Sequence, residues 1–375
     1  LKKIIINSYT EFNLGDDLFI KILCERYPNY YFVLVAHKNY KKTFQDLKNI
    51  KVYSSNSIFI RGVNFILRKL GYSNFYWRFR ANQCDAIVQI GGSIFMQSVN
   101  WKKSLEQDIH KFDINKPYFL IGANFGPYVD VEYYNEYKKL FSKFTDVCFR
   151  EKYSYELFKD LNNVRYAPDV VFNLYNPNSN DPNSEKKDAY IIISVIKPSY
   201  REDLIGYDEV YYKKIKEISI YFIEQGYNVQ LMSFCDYEGD NEATEYIFNL
   251  LPSKYREAVK VYYYNTNIEE AIQIFSNSSF VIATRFHSMI LGWLSQIPVF
   301  PIIYSNKMTN VISDAKFKGF YTDFKNLEIV QPEKVFALIK TNPVDVSFLA
   351  KEASKQFKKL DEYLSSEAQT INDVE

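Results

Sequence analysis

Short apolar runs alternate with helix-length segments along most of this chain, and that alternation restricts its fold more than any other feature. "KKIIIN" at 2–7 reads as a buried strand, and "LGDDLFIKILCERY" after it carries apolar residues at helical spacing. Further strands are expected at 31–36 ("YFVLVA"), 84–90 ("CDAIVQI"), 117–123 ("PYFLIGA") and 146–150 ("DVCFR"). Parallel neighbours need a long crossover between them, and a helix is the usual one. Strand–helix repetition therefore predicts a parallel sheet with helices on both faces.

At 173–187 the stretch "NLYNPNSNDPNSEKK" replaces this pattern with Asn, Pro and Ser, and reads as a linker. The alternation then restarts, with strands expected at 189–196, 227–234, 259–263, 279–284 and 297–304. Helices are expected between them at 208–225, 240–250, 268–275 and 286–295. The fold class that follows is α/β: two Rossmann-like domains, 1–172 and 188–345, joined by the 173–187 linker. A C-terminal helix and tail fill 346–375; the helix is expected over 347–365, with the polar tail frayed. In such a pair, ligands are expected at the carboxyl ends of the strands, facing across a cleft.

A length of 375 residues agrees with two domains, because one core seldom serves so long a chain. The 46 basic residues balance 45 acidic ones, which argues against a general nucleic-acid binder. A small basic pocket for an anionic metabolite stays open. Cys24, Cys84, Cys148 and Cys235 are far apart and form no C-x-x-C pair, so neither a zinc site nor a disulfide framework is indicated. No apolar run reaches membrane-spanning length, and "LKKIIINSY" enters a strand without a signal-peptide pattern. These features lead to the expectation of a cytoplasmic protein. The 33 Tyr and 30 Phe suit carbohydrate or base stacking, but they suit core and sheet packing as well.

Several polar clusters fall just after expected strands. "NLGDD" at 13–17 opens the first helix; its glycine allows a tight turn, and the free N–H groups there suit an anion or hydroxyl. An Asp acting as helix cap explains it equally well. "QIGGSIFMQ" at 89–97 ends a strand with two glycines, but it is not G-x-G-x-x-G and no acidic residue about 20 positions on completes a dinucleotide fingerprint. A nicotinamide cofactor is therefore not indicated. "GANFGPY" at 122–128 is another glycine-containing strand exit. "CFREKYSYELF" puts Arg150 and Glu151 where a strand meets a helix, either aimed at a ligand or paired with a neighbouring loop. Asp169 in "YAPDVVF" reads locally as a turn or capping residue.

The densest cluster is "SFVIATRFHSMILGWL", a strand running into a helix with Arg285 and His287 at the junction. Arginine suits bidentate recognition of carboxylate or phosphate, and histidine moves protons near neutral pH. Such a histidine is ordinarily a cap or core residue. Here the next strand, "PVFPIIYSNK", ends in Tyr304 and Lys307, so charged and titratable groups gather on adjacent strand exits.

In this order the residues resemble the polysaccharide pyruvyl transferases over roughly residues 5 to 315. The pieces are "NLGD" (13–16), "GGS" (91–93), "GANFGP" (122–127), "REKYS" (150–154), "PDVVF" (168–172), "RFH" (285–287), "SQIPV" (295–299) and "YSNK" (304–307). The resemblance implies a two-domain GT-B-type fold and transfer of a pyruvyl group from phosphoenolpyruvate to two hydroxyls of a sugar. The product would be a cyclic ketal on a bacterial surface or exopolysaccharide such as a capsule. It assigns the phosphoenolpyruvate site to Arg150, Arg285, Phe286, His287 and Lys307, with the C-terminal domain as the donor side and the N-terminal domain, which carries Arg150, as the acceptor side. His287 would be the acid/base, with Asp16 or Glu151 activating an acceptor hydroxyl. Asn13, Gly15, Asp16, Gly91, Gly92 and Ser93 would line the acceptor side. Glu151 stands where the family often has Asp, and Ser93 where it often has a third glycine. A further family arginine has Lys197 or Arg201 as its substitute.

No metal and no cofactor is expected, phosphoenolpyruvate being a co-substrate. The partner would be a glycan or lipid-linked oligosaccharide, with any membrane association peripheral at the inner face. Two other functions fit the same sequence. One is a GT-B glycosyltransferase using a nucleotide sugar; the other is a catalytically silent scaffold subunit of a glycan-assembly complex.

Overall fold

The structure is a computed structural model that describes residues 2–57, 60–62, 65, 74–176, 190–341 and 344–372. Most of the 173–187 linker, and the end of the tail, lie outside the described residues.

The first half forms a seven-stranded sheet in the order β3-β2-β1-β4-β5-β6-β7. Its strands are β1 Lys3–Asn7, β2 Tyr31–Ala36, β3 Ile50–Ser54, β4 Ala86–Ile90, β5 Tyr118–Ala123, β6 Asp146–Phe149 and β7 Val164–Tyr166. The second half forms a six-stranded sheet in the order β10-β9-β8-β11-β12-β13. Here the strands are β8 Tyr190–Val195, β9 Asn228–Ser233, β10 Val259–Tyr263, β11 Phe280–Ala283, β12 Val299–Ile303 and β13 Thr322–Asp323. All the pairings are parallel. The central strands are buried along their length, as β4 (AIVQI) and β11 (FVIA) show, because helices cover both faces.

In each sheet the chain starts in the middle, works outward to one edge, and then crosses to the other side. The crossings put β1 beside β4 (Ile5 opposite Ile87) and β8 beside β11 (Ile192 opposite Val281). At such a reversal the loops leaving the two strands diverge and open a crevice beyond their carboxyl ends. "NLGD" and "GGS" leave β1 and β4; Arg201 and Arg285 leave β8 and β11.

The chain divides into two compact units, with two exchanges that a simple cut at the linker lacks. Unit 1 is Leu1–Thr10, Phe19–Asn173 and Lys351–Glu375; unit 2 is Glu11–Leu18 and Leu174–Ala350. Local bonds explain the first exchange. The N–H of Leu14 donates to the Phe234 carbonyl at 3.2 Å, and Tyr264 donates its hydroxyl to Asp17 at 2.6 Å. The C-terminal segment is broken into helices Ser347–Ala353 and Lys358–Asn372, separated by a 3-10 turn, where one helix was expected. Gln356 in that turn ties it to unit 1, accepting from Gly122 N at 3.0 Å and donating to the Ala167 carbonyl at 2.7 Å.

Much of the aromatic excess is core. In unit 1 the Phe125 ring lies among Tyr133, Tyr137, Phe141 and Phe158 at centroid distances of 4.8–6.0 Å. Each such pair adds about 0.5–1.5 kcal/mol beyond the area it buries. The four cysteines are free and buried. No helix among the described residues is long and apolar enough to cross a membrane.

Candidate active site

Four strand exits of unit 2 carry one cluster of charge. After β11 the backbone turns out of the sheet at Arg285, which is extended (φ −85°, ψ 138°), and enters the helix Phe286–Leu294. Ser194 at the end of β8 holds the turn, its hydroxyl accepting from Thr284 N at 3.0 Å and Arg285 N at 3.1 Å. Behind it, a β-carbon on Gly292 would meet Val299 at 2.6 Å. Only glycine there lets the helix press this closely on the sheet, which fixes where the helix start, and hence His287, can lie.

The Arg285 guanidinium is almost fully buried. One Nη donates to Glu238 at 2.6 Å and the other pairs with Asp240. Arg201, from the loop after β8, donates to the same Glu238 oxygen at 2.8 Å. Its guanidinium carbon lies 4.6 Å from the centre of the Tyr304 ring, and Lys307 Nζ lies 5.2 Å from that ring. Lys307 is also 5.8 Å from the Phe286 ring, which meets the His287 imidazole edge-on at 5.0 Å. Arg201 and Arg285 thus share Glu238, Asp240 pairs with Arg285, and Lys307 adds a third positive charge acting on Glu238. Burial works against the Arg285 charge, but Asp240 and Glu238 outweigh it and hold its pKa well above the ordinary value. Burial raises the Asp240 carboxyl despite Arg285. Burial also opposes ionisation of Glu238, yet Arg285 and Arg201 bring its pKa down to about 2. Tyr304 is likewise lowered: desolvation is overcome by Lys307, Arg201 and Arg285.

The "NLGD" turn completes this cluster. Asn13 caps the helix Leu14–Arg26, its Oδ1 accepting from Gly15 N at 3.0 Å, and its Nδ2 donates to Glu238 at 3.2 Å. Gly15 lies against His287: a β-carbon there would come within 1.8 Å of Nδ1. The glycine is therefore the space into which the imidazole packs. Asp16 is half-buried in the same turn.

Unit 1 carries a second cluster around Arg150 at the exit of β6. Arg150 donates to Asp169 at 2.9 Å, to Asn124 at 2.6 Å and to Ser93 at 3.3 Å. Asp169 also accepts from Val171 N at 2.8 Å, so the locally expected cap is also a buried counter-ion. A β-carbon on Gly92 would sit 2.4 Å from Arg150 Nη1, so this glycine makes room for a guanidinium as Gly15 does for an imidazole. Gly91 is buried beside it. Glu151 is buried, accepts from Ser154 at 2.7 Å, and Ser154 in turn accepts from Phe125 N at 2.8 Å.

The sequence-derived residues therefore sort by unit and not by expected role. Asn13, Gly15 and Asp16, expected with the acceptor, stand in unit 2 with Arg201, Arg285, Phe286, His287 and Lys307. Arg150, expected with the donor, stands in unit 1 with Gly91, Gly92, Ser93 and Glu151. Of the two candidate substitutes, Lys197 pairs with Glu242 at 2.7 Å, whereas Arg201 joins Arg285 on Glu238. The sequence marks Tyr304 only as a strand exit. Glu238 and Asp240 are not among the residues expected from it; their signal is the acidic, glycine-containing "DYEGD" directly after β9. Among the described residues no three His, Cys, Asp or Glu gather as a metal site.

Two parallel sheets, each with helices on both faces and each reversing at its centre, define a protein of two Rossmann-like domains of the GT-B type. The same fold is found in Anabaena HepE in complex with UDP and glucose, at a TM-score of 0.55 and 11% identity over 98% of this chain and 100% of that one. It recurs in Staphylococcus aureus MnaA bound to UDP, at a TM-score of 0.57 and 12% identity, covering 94% of each chain. A UDP-N-acetylglucosamine 2-epimerase from Rickettsia bellii also matches, at 0.57 and 12% identity, over 99% of this chain and 97% of that one. At such identities the likeness concerns the fold alone. The family is shown by the sequence itself: residues 13–306 match the model of the polysaccharide pyruvyl transferases, and the chain belongs to that family. It is thus a member of a family of polysaccharide-modifying transferases.

Proposed function

We propose that this chain transfers a pyruvyl group from phosphoenolpyruvate to two hydroxyls of one sugar, closing a cyclic ketal on a bacterial surface or exopolysaccharide precursor. The observation that carries this reading is the gathering of Arg201, Arg285, Lys307 and the Phe286–His287 pair at neighbouring strand exits of unit 2. Phosphoenolpyruvate carries a carboxylate and a phosphate, and fixed guanidinium and ammonium groups are the natural hold on both.

In the reaction His287 gives a proton to the methylene carbon, creating the methyl group and an oxocarbenium-like carbon beside it. One sugar hydroxyl bonds to that carbon. The bond to the phosphate oxygen then breaks, its electron pair leaving with the phosphate, and the second hydroxyl closes the ketal. Of the two hydroxyl protons released, one restores His287 and the other departs with the phosphate. Asp16, next to Gly15 in the turn against His287, is the carboxylate we assign to the acceptor hydroxyl. No cofactor is required. The expected acceptor is a glycan or lipid-linked oligosaccharide met in the cytoplasm or at the inner face of the membrane.

His287→Ala is expected to lower transfer by about 10²–10⁴-fold while phosphoenolpyruvate still binds. The readout is the pyruvate-ketal signal by NMR, or the mass shift, on a sugar acceptor; near-normal turnover would remove His287 from the chemistry. Donor class is tested separately. Phosphoenolpyruvate should raise the melting temperature and UDP-glucose should not. The reverse would favour a nucleotide-sugar glycosyltransferase, the reading suggested by the UDP and glucose bound to HepE.

A further inference from the structure

The carboxylate of Glu238 is held as a bound ligand would be held. Two guanidiniums, Arg201 at 2.8 Å and Arg285 at 2.6 Å, donate to one oxygen, and the amide of Asn13 donates to the other at 3.2 Å. Those donors come from three separate loops, after β8, β11 and β1. Convergence of arginine and amide donors on a planar oxyanion is the usual chemistry of carboxylate and phosphate recognition.

The neighbouring Asp240 has a different standing. It is fully buried, pairs with Arg285, and accepts from the backbone N–H groups of Phe234 and Cys235, both at 3.1 Å. Removing it would strand two buried peptide donors, so it is built in. Among the described residues, Glu238 accepts from side chains alone. It sits on a three-residue turn, Asp236–Glu238, beside Tyr237, which is 63% exposed. Gly239 follows with φ +79°, a conformation that glycine adopts without strain.

We propose that Glu238 stands in for a ligand on this site, and that a small anion with a carboxylate or phosphate binds Arg201, Arg285 and Asn13 by exchange with it. Asn13 thereby belongs to the anion site and not to the acceptor site. Asp240 stays and keeps Arg285 charged and oriented while Glu238 swings outward about Gly239. The charge arithmetic supports exchange: with Glu238 displaced, the cations Arg201, Arg285 and Lys307 face Asp240 alone, a net +2 that an incoming dianion neutralises. That the anion is phosphoenolpyruvate rests on the function proposed above; the exchange itself does not.

The test is to titrate the full chain and its Glu238→Gln variant with phosphoenolpyruvate and, separately, with inorganic sulfate, by calorimetry. Glutamine keeps the shape but not the competing charge, so both anions should bind about tenfold more tightly to the variant. Equal or weaker binding of both would overturn the exchange and make Glu238 a brace for the arginines. Tighter sulfate with no phosphoenolpyruvate binding to either protein would support the exchange and sink the donor reading instead. Glu238→Asp is the control for folding. It keeps the charge on a shorter arm, and its sulfate affinity should fall between the other two; an affinity below wild type would also count against the exchange.

Discussion

Arg150 and Arg285 are both buried guanidiniums at the exit of a parallel strand, and both face carboxylates. They differ in what holds the partners. Asp169, opposite Arg150, is itself fixed by Val171 N, and Asn124 and Ser93 close the remaining side. The three partners named here sit on loops that Arg150 ties together: Ser93 after β4, Asn124 after β5 and Asp169 after β7. Arg285 has one partner of that kind, Asp240, and one, Glu238, that among the described residues is held only by side chains. A buried cation whose counter-ions are all anchored is a brace. On the exchange proposed above, Arg285 has a counter-ion that leaves, and that proposal puts anion recognition in unit 2.

The largest expected difference between them is in stability. Asp169→Ala leaves the Arg150 charge buried without its counter-ion and should cost about 3–5 kcal/mol. Glu238→Gln, in a cluster that retains Asp240, should cost less than half of that. Denaturant midpoints of the two variants check the contrast, and equal losses would erase the distinction between brace and binder.

The two glycines sharpen the same comparison. Gly92→Ala drives a methyl into a guanidinium with no room to retreat, and should cost about 1–3 kcal/mol. His287, opposite Gly15, is only half-buried, so its ring can turn aside. Gly15→Ala should therefore leave the melting temperature within a few degrees of wild type, equivalent to about 1 kcal/mol or less. Its damage should fall on transfer instead, approaching that of His287→Ala. A Gly15→Ala protein with full activity would mean that the imidazole's packing against this turn is irrelevant to the chemistry.

The sheets were legible because their strands are continuous apolar runs bounded by turns, and β2 and β10 lie at the expected residues. The strands not anticipated are ones whose sequence lacks that signal. β3 (IKVYS) is an edge strand with Lys51 exposed, β7 is three residues long and β13 only two. For the site, the motifs identified Arg285, His287 and Lys307 by residue type, but not the company they keep. Glu238 and Asp240 reach Arg285 from 47 and 45 positions away, and that separation is closed by the order of the strands and not by any local pattern. Lys197 and Arg201 were equivalent on paper, being charged residues in one short loop. The 3-10 turn Pro198–Tyr200 between them sends one to Glu242 and the other to Glu238.

A pH dependence tests the Glu238 pairing without any ligand. The Glu238 carboxyl lies near about 2 in the folded protein against an ordinary 4.5, because Arg285 and Arg201 outweigh the cost of its burial. A carboxylate lowered on folding stabilises fully above its unfolded pKa and loses that contribution as pH falls through the folded value. The stability advantage of wild type over Glu238→Gln should therefore be constant above about pH 5 and shrink between about 4.5 and 2, no faster than about 1.4 kcal/mol per pH unit. Asp240, raised by burial, titrates in the opposite sense, and because the Glu238 charge is one cause of that rise, its change in Glu238→Gln offsets part of the slope. Urea midpoints of the two proteins across that range measure it. A difference that did not vary with pH would mean Glu238 is not ion-paired, and the contrast between Arg285 and Arg150 would lose its basis.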